Sequence, residues 1–141
     1  MKNKAITIII IFLVLVLSSC KGNTKASKEE GELTEMSFTK KTFDFGSINQ
    51  GDIVSTQFEF TNSGEKDLII TEAVGSCGCT VPDYPKDVIK PGEKGKIKVS
   101  FNSTGKSGMQ NKTVTLTANT KVGTEIVNIK ANVIPRTGIA Q

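Results

Sequence analysis

Lys94-Gly95-Lys96-Ile97-Lys98-Val99-Ser100-Phe101 alternates without a break, with Ile97, Val99 and Phe101 pointing one way and Lys94, Lys96 and Lys98 the other. A period of two marks a half-buried strand, because successive side chains leave opposite faces of a pleated backbone. The same rhythm runs outward from this segment. Upstream, Val54, Thr56, Phe58 and Phe60 share one face of a run that follows the turn Asn49-Gln50-Gly51-Asp52, and Phe43, Phe45 and Ile48 mark the run Thr42–Ile48 before it. Asn62-Ser63-Gly64-Glu65-Lys66-Asp67 turns the chain into Leu68–Val74, with Leu68 and Ile70 in phase. Downstream, Thr113–Ala118 carries Val114, Leu116 and Ala118, and Thr124–Ile134 carries Val127, Ile129, Ala131 and Val133. Gly, Pro and Asn punctuate the intervals, as strand connections require.

Six such strands, with a seventh at Met36–Phe38 or Val88–Ile89, predict an all-β fold: an Ig-like β-sandwich of about seven antiparallel strands. A small barrel is the alternative. Each half-buried strand needs one apolar face covered, and two sheets stacked about 10 Å apart cover both together. The predicted core is Phe43, Phe45, Phe58, Phe60, Leu68, Ile70, Ile97, Val99, Phe101, Val114, Leu116, Val127, Ile129 and Val133. An antibody-type domain is excluded, since there is no Trp and Cys77 and Cys79 are too close in sequence to staple one sheet to the other.

Composition narrows function mainly by exclusion. The 141 residues correspond to one domain and contain no His, so serine triads, cysteine–histidine dyads and most catalytic zinc sites cannot be assembled from this chain alone. Asp44, Asp52, Asp67, Asp83 and Asp87 are scattered at turn-like positions and no spacing pairs them for acid–base work. A non-enzyme is expected. The net charge of +4 includes Lys2 and Lys4, and the remaining 16 basic and 14 acidic residues leave only +2, which gives no case for nucleic acid.

Lys2 and Lys4 precede a 13-residue stretch, Ala5–Leu17, interrupted only by Thr7. A membrane span needs about 20 apolar residues, whereas an apolar region of about 7 to 15 followed by small residues describes a signal peptide. Leu17-Ser18-Ser19-Cys20 resembles a bacterial lipobox, which implies a signal peptide over residues 1–19, cleavage before Cys20, and lipidation of Cys20. Two or more acyl chains would hold the protein stably to a membrane. From Lys21 to Glu35 the chain is charged and poor in large apolar residues, so residues 20–35 read as the lipidated cysteine and a flexible linker, residues 36–135 as the domain and 136–141 as a tail. Lys21-Gly22-Asn23-Thr24 carries no acidic cluster, which favours the periplasmic side of the bacterial cell envelope over the cell surface.

Phe43-Asp44-Phe45-Gly46, Phe58–Asn62 with Gly64, Ser76-Cys77-Gly78-Cys79-Thr80, Pro82, Pro85, Pro91-Gly92-Glu93, Ile97–Phe101 and Gly105-Lys106-Ser107-Gly108 together resemble a bacterial family known as the domain of unknown function 1573. The likeness runs from Phe43 to about Val133. It implies a fold similar to the Ig-like domains of the abnormal-spindle and hydin type, and frequent occurrence as a secreted lipoprotein. It implies no activity.

Cys77-Gly78-Cys79 is the one motif able to carry chemistry, and it follows the Leu68–Val74 strand. One reading is a local disulfide closed by a bend at Gly78, which would stabilise the chain by only about 1.6 kcal/mol because the ring is so small. Another is capture of Cu(I), which accepts few sulfur ligands, and a third is thiol–disulfide exchange. Zinc would need further ligands, with Asp83 or Asp87 the candidates. The stripe Lys94, Lys96, Lys98 suits solubility and edge protection, or contact with anionic envelope polymers. Gly105-Lys106-Ser107 resembles the end of a phosphate loop, but Ser100 stands where that motif needs Gly. The expectation is a lipid-anchored, non-catalytic module that binds an envelope protein partner, by strand addition at a sheet edge for example. A copper or thiol-redox protein using Cys77 and Cys79 is the alternative.

Overall fold

The computed structural model describes residues 32–136. The expected signal peptide at 1–19, the expected lipidation at Cys20, most of the expected linker and residues 137–141 lie outside the described residues. Within them the chain forms eight strands: β1 (Met36–Phe38), β2 (Thr42–Asn49), β3 (Ile53–Asn62), β4 (Ile70–Gly75), β5 (Thr80–Asp83), β6 (Lys94–Asn102), β7 (Gly108–Ala118) and β8 (Thr124–Ile134). They make two four-stranded sheets, ordered β1-β3-β6-β5 and β2-β8-β7-β4. This is a β-sandwich, and the barrel alternative falls away.

The alternation places the core where the sequence predicts. Phe60, Phe101, Leu68, Ile97, Leu116, Val99, Val114, Val127 and Val133 are fully buried, and Phe58, Ile70 and Ile129 nearly so. Removing about 25 cal/mol of unfavourable hydration per Å² is the main force joining the sheets. β3 and β6 pair antiparallel from Ile53↔Asn102 to Thr61↔Lys94, which turns Phe58 and Ile97 inward together. β7 and β8 pair antiparallel over Gly108↔Val133 to Thr117↔Thr124.

Four departures from the sequence-based expectation are informative. Phe43 was assigned to the core yet is 39% exposed, and Phe45 is only half-buried against the core. Both lie on β2, an edge strand, where one flank of each ring has no neighbouring strand to cover it; the rings pack edge-on against each other, 4.9 Å between centroids. The strands are also not all antiparallel, because β2 pairs parallel with β8 from Thr42↔Asn128 to Asn49↔Ile134. Thr39–Lys41 carries the chain from one sheet to the other, so the second strand, β2, becomes the neighbour of the last, β8. Leu68 lies outside β4 and instead makes an isolated bridge with Ile89, both buried. An eighth strand, β5, follows the cysteine pair and adds an edge to β6.

The folded body also begins before residue 36. Thr34 is buried, its N–H donates to Asn119 O, its carbonyl accepts from Lys121 N–H, and its hydroxyl donates to Asn62 Oδ1 at 2.8 Å. Asn62 is fully buried and every polar valence of its side chain is used: Oδ1 also accepts from Gly64 N–H, and Nδ2 donates to Lys66 O and Ile89 O at 2.7 and 2.9 Å. Asn119 does similar work beside it, accepting from Ile69 N–H and donating to Glu32 O and Asp67 O. Such networks stabilise when complete and cost dearly when broken.

Candidate functional site

Cys77 and Cys79 sit on the crossover from β4 in one sheet to β5 in the other, and the structure joins them in a disulfide with Cα atoms 5.2 Å apart. A tight fold-back creates this proximity. Thr80 N–H donates to Cys77 O, Ser76 N–H donates to Thr113 O, and Asn102 N–H donates to Cys79 O, so the loop is tied to both sheets. Gly75 is where the crossover presses on β4: a Cβ there would collide with the Thr80 backbone carbonyl, so only glycine allows the approach.

The two sulfurs differ in surroundings. Both cysteines are half-buried, but Cys79 packs against the hydrophobic core while Cys77 lies outside that cluster. The buried Thr80 hydroxyl reaches both, 3.5 Å from Cys77 Sγ and 3.9 Å from Cys79 Sγ. Neither bonded sulfur carries a proton, so Thr80 is the donor in each contact. Thr80 is the site residue that sequence reasoning misses, since it stands there only as the end of the Ser76–Thr80 motif. Its position next to Cys79 was the available signal, but a threonine in that place is equally at home as an ordinary strand residue.

Cu(I) capture requires two free thiolates, which the disulfide does not offer. Among the described residues no group of three or more Cys, Asp, Glu or His side chains comes together to hold a metal. Asp83 lies in β5 in register with Lys98 of β6.

All four strand edges are blunted, which is how soluble sheets avoid indiscriminate pairing. β1 has three residues and β5 four, with Pro82 removing an N–H from the latter. β4 has its Thr71 carbonyl occupied by Tyr84 Oη at 3.0 Å. β2 is bulged between Asp44 and Ser47, where Gly46 takes φ +67° and donates its N–H to Asp44 Oδ1.

The outer faces of the two sheets contrast in charge. On β1-β3-β6-β5 the side chains opposite the core include Gln57, Glu59, Lys94, Lys96, Lys98, Asp83 and the exposed Ile53 and Val81, with Lys96 Nζ 3.2 Å from Glu59 Oε1. On β2-β8-β7-β4 the register sets Val74 beside Thr115 beside Ile126, flanked by the Thr117–Thr124 and Thr113–Asn128 pairs. Val74 and Ile126 are about half exposed. The Thr113 hydroxyl donates to Asn128 Oδ1 at 3.0 Å. The charges on this face include Glu72, in register with Thr117, and Lys130, met in register by Asp44.

At the end of the sandwich holding Asn62, a shallow cleft of about 430 Å³ is lined by Leu33, Thr34, Glu35, Ser63, Glu65, Lys66 and Lys121 among others. Ion pairs line it: Lys121 Nζ to Glu35 Oε1 at 2.6 Å and Lys66 Nζ to Glu32 Oε1 at 2.7 Å. The hydrogen bond from Lys121, reinforced by its charge, holds the Glu35 carboxyl below its ordinary range and raises Lys121 in return; Glu32 raises Lys66 in the same way.

Solved structures with this architecture come from distant proteins. A protein of unknown function from Porphyromonas gingivalis W83 superposes with a TM-score of 0.59 at 16% identity, over 71% of this chain and 46% of that one. The ASH/PapD-like domain 7 of human CEP192 matches with 0.56 at 12% identity, over 75% and 89%. The secreted serine protease VesC from Vibrio cholerae matches with 0.56 at 15%, over 71% and 23%. The chain thus spans less than half of the first and third of these, and at such identities the likeness is one of fold alone. No curated protein matches the chain. The sandwich, with its cysteine crossover between β4 and β5, coincides with a match over residues 36–133 to the family described as "Protein of unknown function (DUF1573)", and the chain belongs to that family.

Proposed function

We propose that this protein is a lipid-anchored, non-catalytic module of the bacterial envelope that binds an envelope protein through the outer face of the β2-β8-β7-β4 sheet. The observation that carries the reading is the contrast between that face and the rest of the surface. Edge pairing is discouraged on all four sides, and the opposite face carries its exposed Ile53 and Val81 among lysines and carboxylates that water solvates well. The Val74–Thr115–Ile126 row and its threonine and asparagine neighbours, with Glu72 at the border, form a surface of low charge, where burial costs little desolvation and leaves hydroxyls and amides to set register. Its neutrality fits a partner protein of similarly low charge rather than an anionic polymer, which the lysine face would attract instead.

The anchor follows from the lipobox resemblance around Cys20. Replacing Cys20 by Ser abolishes metabolic palmitate labelling on this reading, and labelling that persists contradicts it. The binding face is tested by photo-crosslinking residues introduced at Thr115 and, separately, at Lys98 in living cells. A discrete crosslinked species from position 115, lost when Ile126→Lys is added and missing from position 98, is the expected result. Crosslinking from position 98 alone, or none from 115, refutes the assignment.

A further inference from the structure

We propose that the Cys77–Cys79 disulfide is a thiol–disulfide exchange site that accepts two electrons from a dithiol, with Cys77 as the attacked sulfur and Cys79 as the leaving one. The inference is independent of the anchor and of the binding face. It rests on the unequal surroundings of the two sulfurs and on the Thr80 hydroxyl. A thiolate attacks a disulfide along the S–S axis, from the side away from the departing sulfur. Attack on Cys79 would bring the nucleophile against core-packed atoms, whereas Cys77 lies outside the core cluster and next to exposed Ser76 and Gly78. The core packing of Cys79 makes it the leaving sulfur, and the Thr80 hydroxyl, which lies 3.5 Å from Cys77 Sγ and 3.9 Å from Cys79 Sγ, turns to donate to the new thiolate. Hydrogen bonding to the charged form favours it.

The electron and proton balance is complete. A thiolate of the dithiol forms a bond to Cys77 Sγ as the Cys77–Cys79 bond breaks, and the electron pair of that bond leaves on Cys79 Sγ, which takes up a proton. The second thiol of the donor, deprotonated, attacks its own sulfur in the mixed disulfide and expels Cys77 as a thiolate, which is protonated in turn. The donor ends as a disulfide, oxidised by two electrons, and Cys77 and Cys79 end as thiols. The loop can undergo this cycle without unfolding the sandwich, because the ties from Ser76, Thr80 and Asn102 to neighbouring strands are backbone hydrogen bonds that do not involve sulfur.

The test pulses the native full-length protein with glutathione, a monothiol that forms the mixed disulfide but does not resolve it. N-ethylmaleimide then traps any released thiol, and peptide mass spectrometry maps the adducts. Glutathione on Cys77 with maleimide on Cys79 is the expected pattern. Glutathione on Cys79, or no adduct from the native protein under conditions where the urea-unfolded protein reacts, overturns the proposal. Thr80→Val, which exchanges the hydroxyl for a methyl group of similar size, slows adduct formation about tenfold, the loss expected for one hydrogen bond to a charged atom. Thr80→Ser restores the rate. A Thr80→Val protein that is folded by circular dichroism and reacts at the wild-type rate removes Thr80 from the mechanism.

Discussion

The two ends of the β3–β6 ladder are held by different means. At the end where Thr61 meets Lys94, buried amides and a buried threonine tie residues 32–35 to three separate loops through hydrogen bonds that leave no valence of Asn62 idle. At the other end, where Ile53 meets Asn102, the cysteine crossover is tied by backbone bonds, and its only covalent link spans two residues. The difference teaches that stability is concentrated where the chain enters the domain, which frees the disulfide end to change its covalent state.

Breaking the entry end has the largest expected effect. Asn62→Ala strands the buried Ile89 carbonyl, the Lys66 carbonyl, the Thr34 hydroxyl and the Gly64 N–H at once, and should cost about 3 kcal/mol or more by denaturant unfolding. A cost below that of an ordinary surface substitution would contradict the assignment of Asn62 as the hub. At the other end, replacing both Cys77 and Cys79 by Ser should cost at most about 1.6 kcal/mol by the chain-entropy formula for so small a ring. A larger loss would mean that the crossover is structurally dependent on its sulfur link, and the comparison would fail. Thr34→Val removes one buried donor from the entry end and should cost about 1 kcal/mol.

Smaller still is the effect of pH on the Glu35–Lys121 pair, both of which are solvent-exposed. Because Lys121 lowers the folded-state pKa of Glu35, its stabilisation is present above the unfolded value of about 4.3 and is lost as pH falls through the lower folded value. Melting temperatures of wild type and Glu35→Gln should therefore differ slightly near neutrality and converge in acid, with the gap shrinking in high salt. A gap that widens in acid reverses the sign and refutes the pairing.

Much of this architecture was legible locally and some of it was not, for physical reasons that particular residues illustrate. β3, β6, β7 and β8 announce themselves because each buries alternate residues against the core, so Phe58, Ile97, Leu116 and Val127 fall in strict alternation, whereas Gly108–Lys112 of β7 buries nothing and is not signalled. β5 escapes because Thr80–Asp83 is short and contains Pro82, a residue tolerated only because the strand lies at an edge. Phe43 misleads because hydrophobicity does not say whether a strand will be central or marginal. The roles of Thr34 and Asn62, 28 positions apart, are set by a partner that no local pattern contains. Likewise the cysteine pair could be read from its spacing, whereas the core packing that distinguishes Cys79 from Cys77, and the Thr80 hydroxyl beside both, depend on how the crossover folds back. The low-charge outer face was implicit in the residues between the core positions of β7 and β8, but only the register aligns Val74, Thr115 and Ile126 into one row.

That row carries the central claim, and one measurement addresses it most directly. Ile126→Lys adds a charge to the outer face without touching the core, so the melting temperature should stay within the range of an ordinary surface change, about ±0.5 kcal/mol in stability. In living cells the same substitution should eliminate the crosslink from position 115. An undiminished crosslink in a fully folded Ile126→Lys protein would contradict the claim that this face is where the module meets its partner.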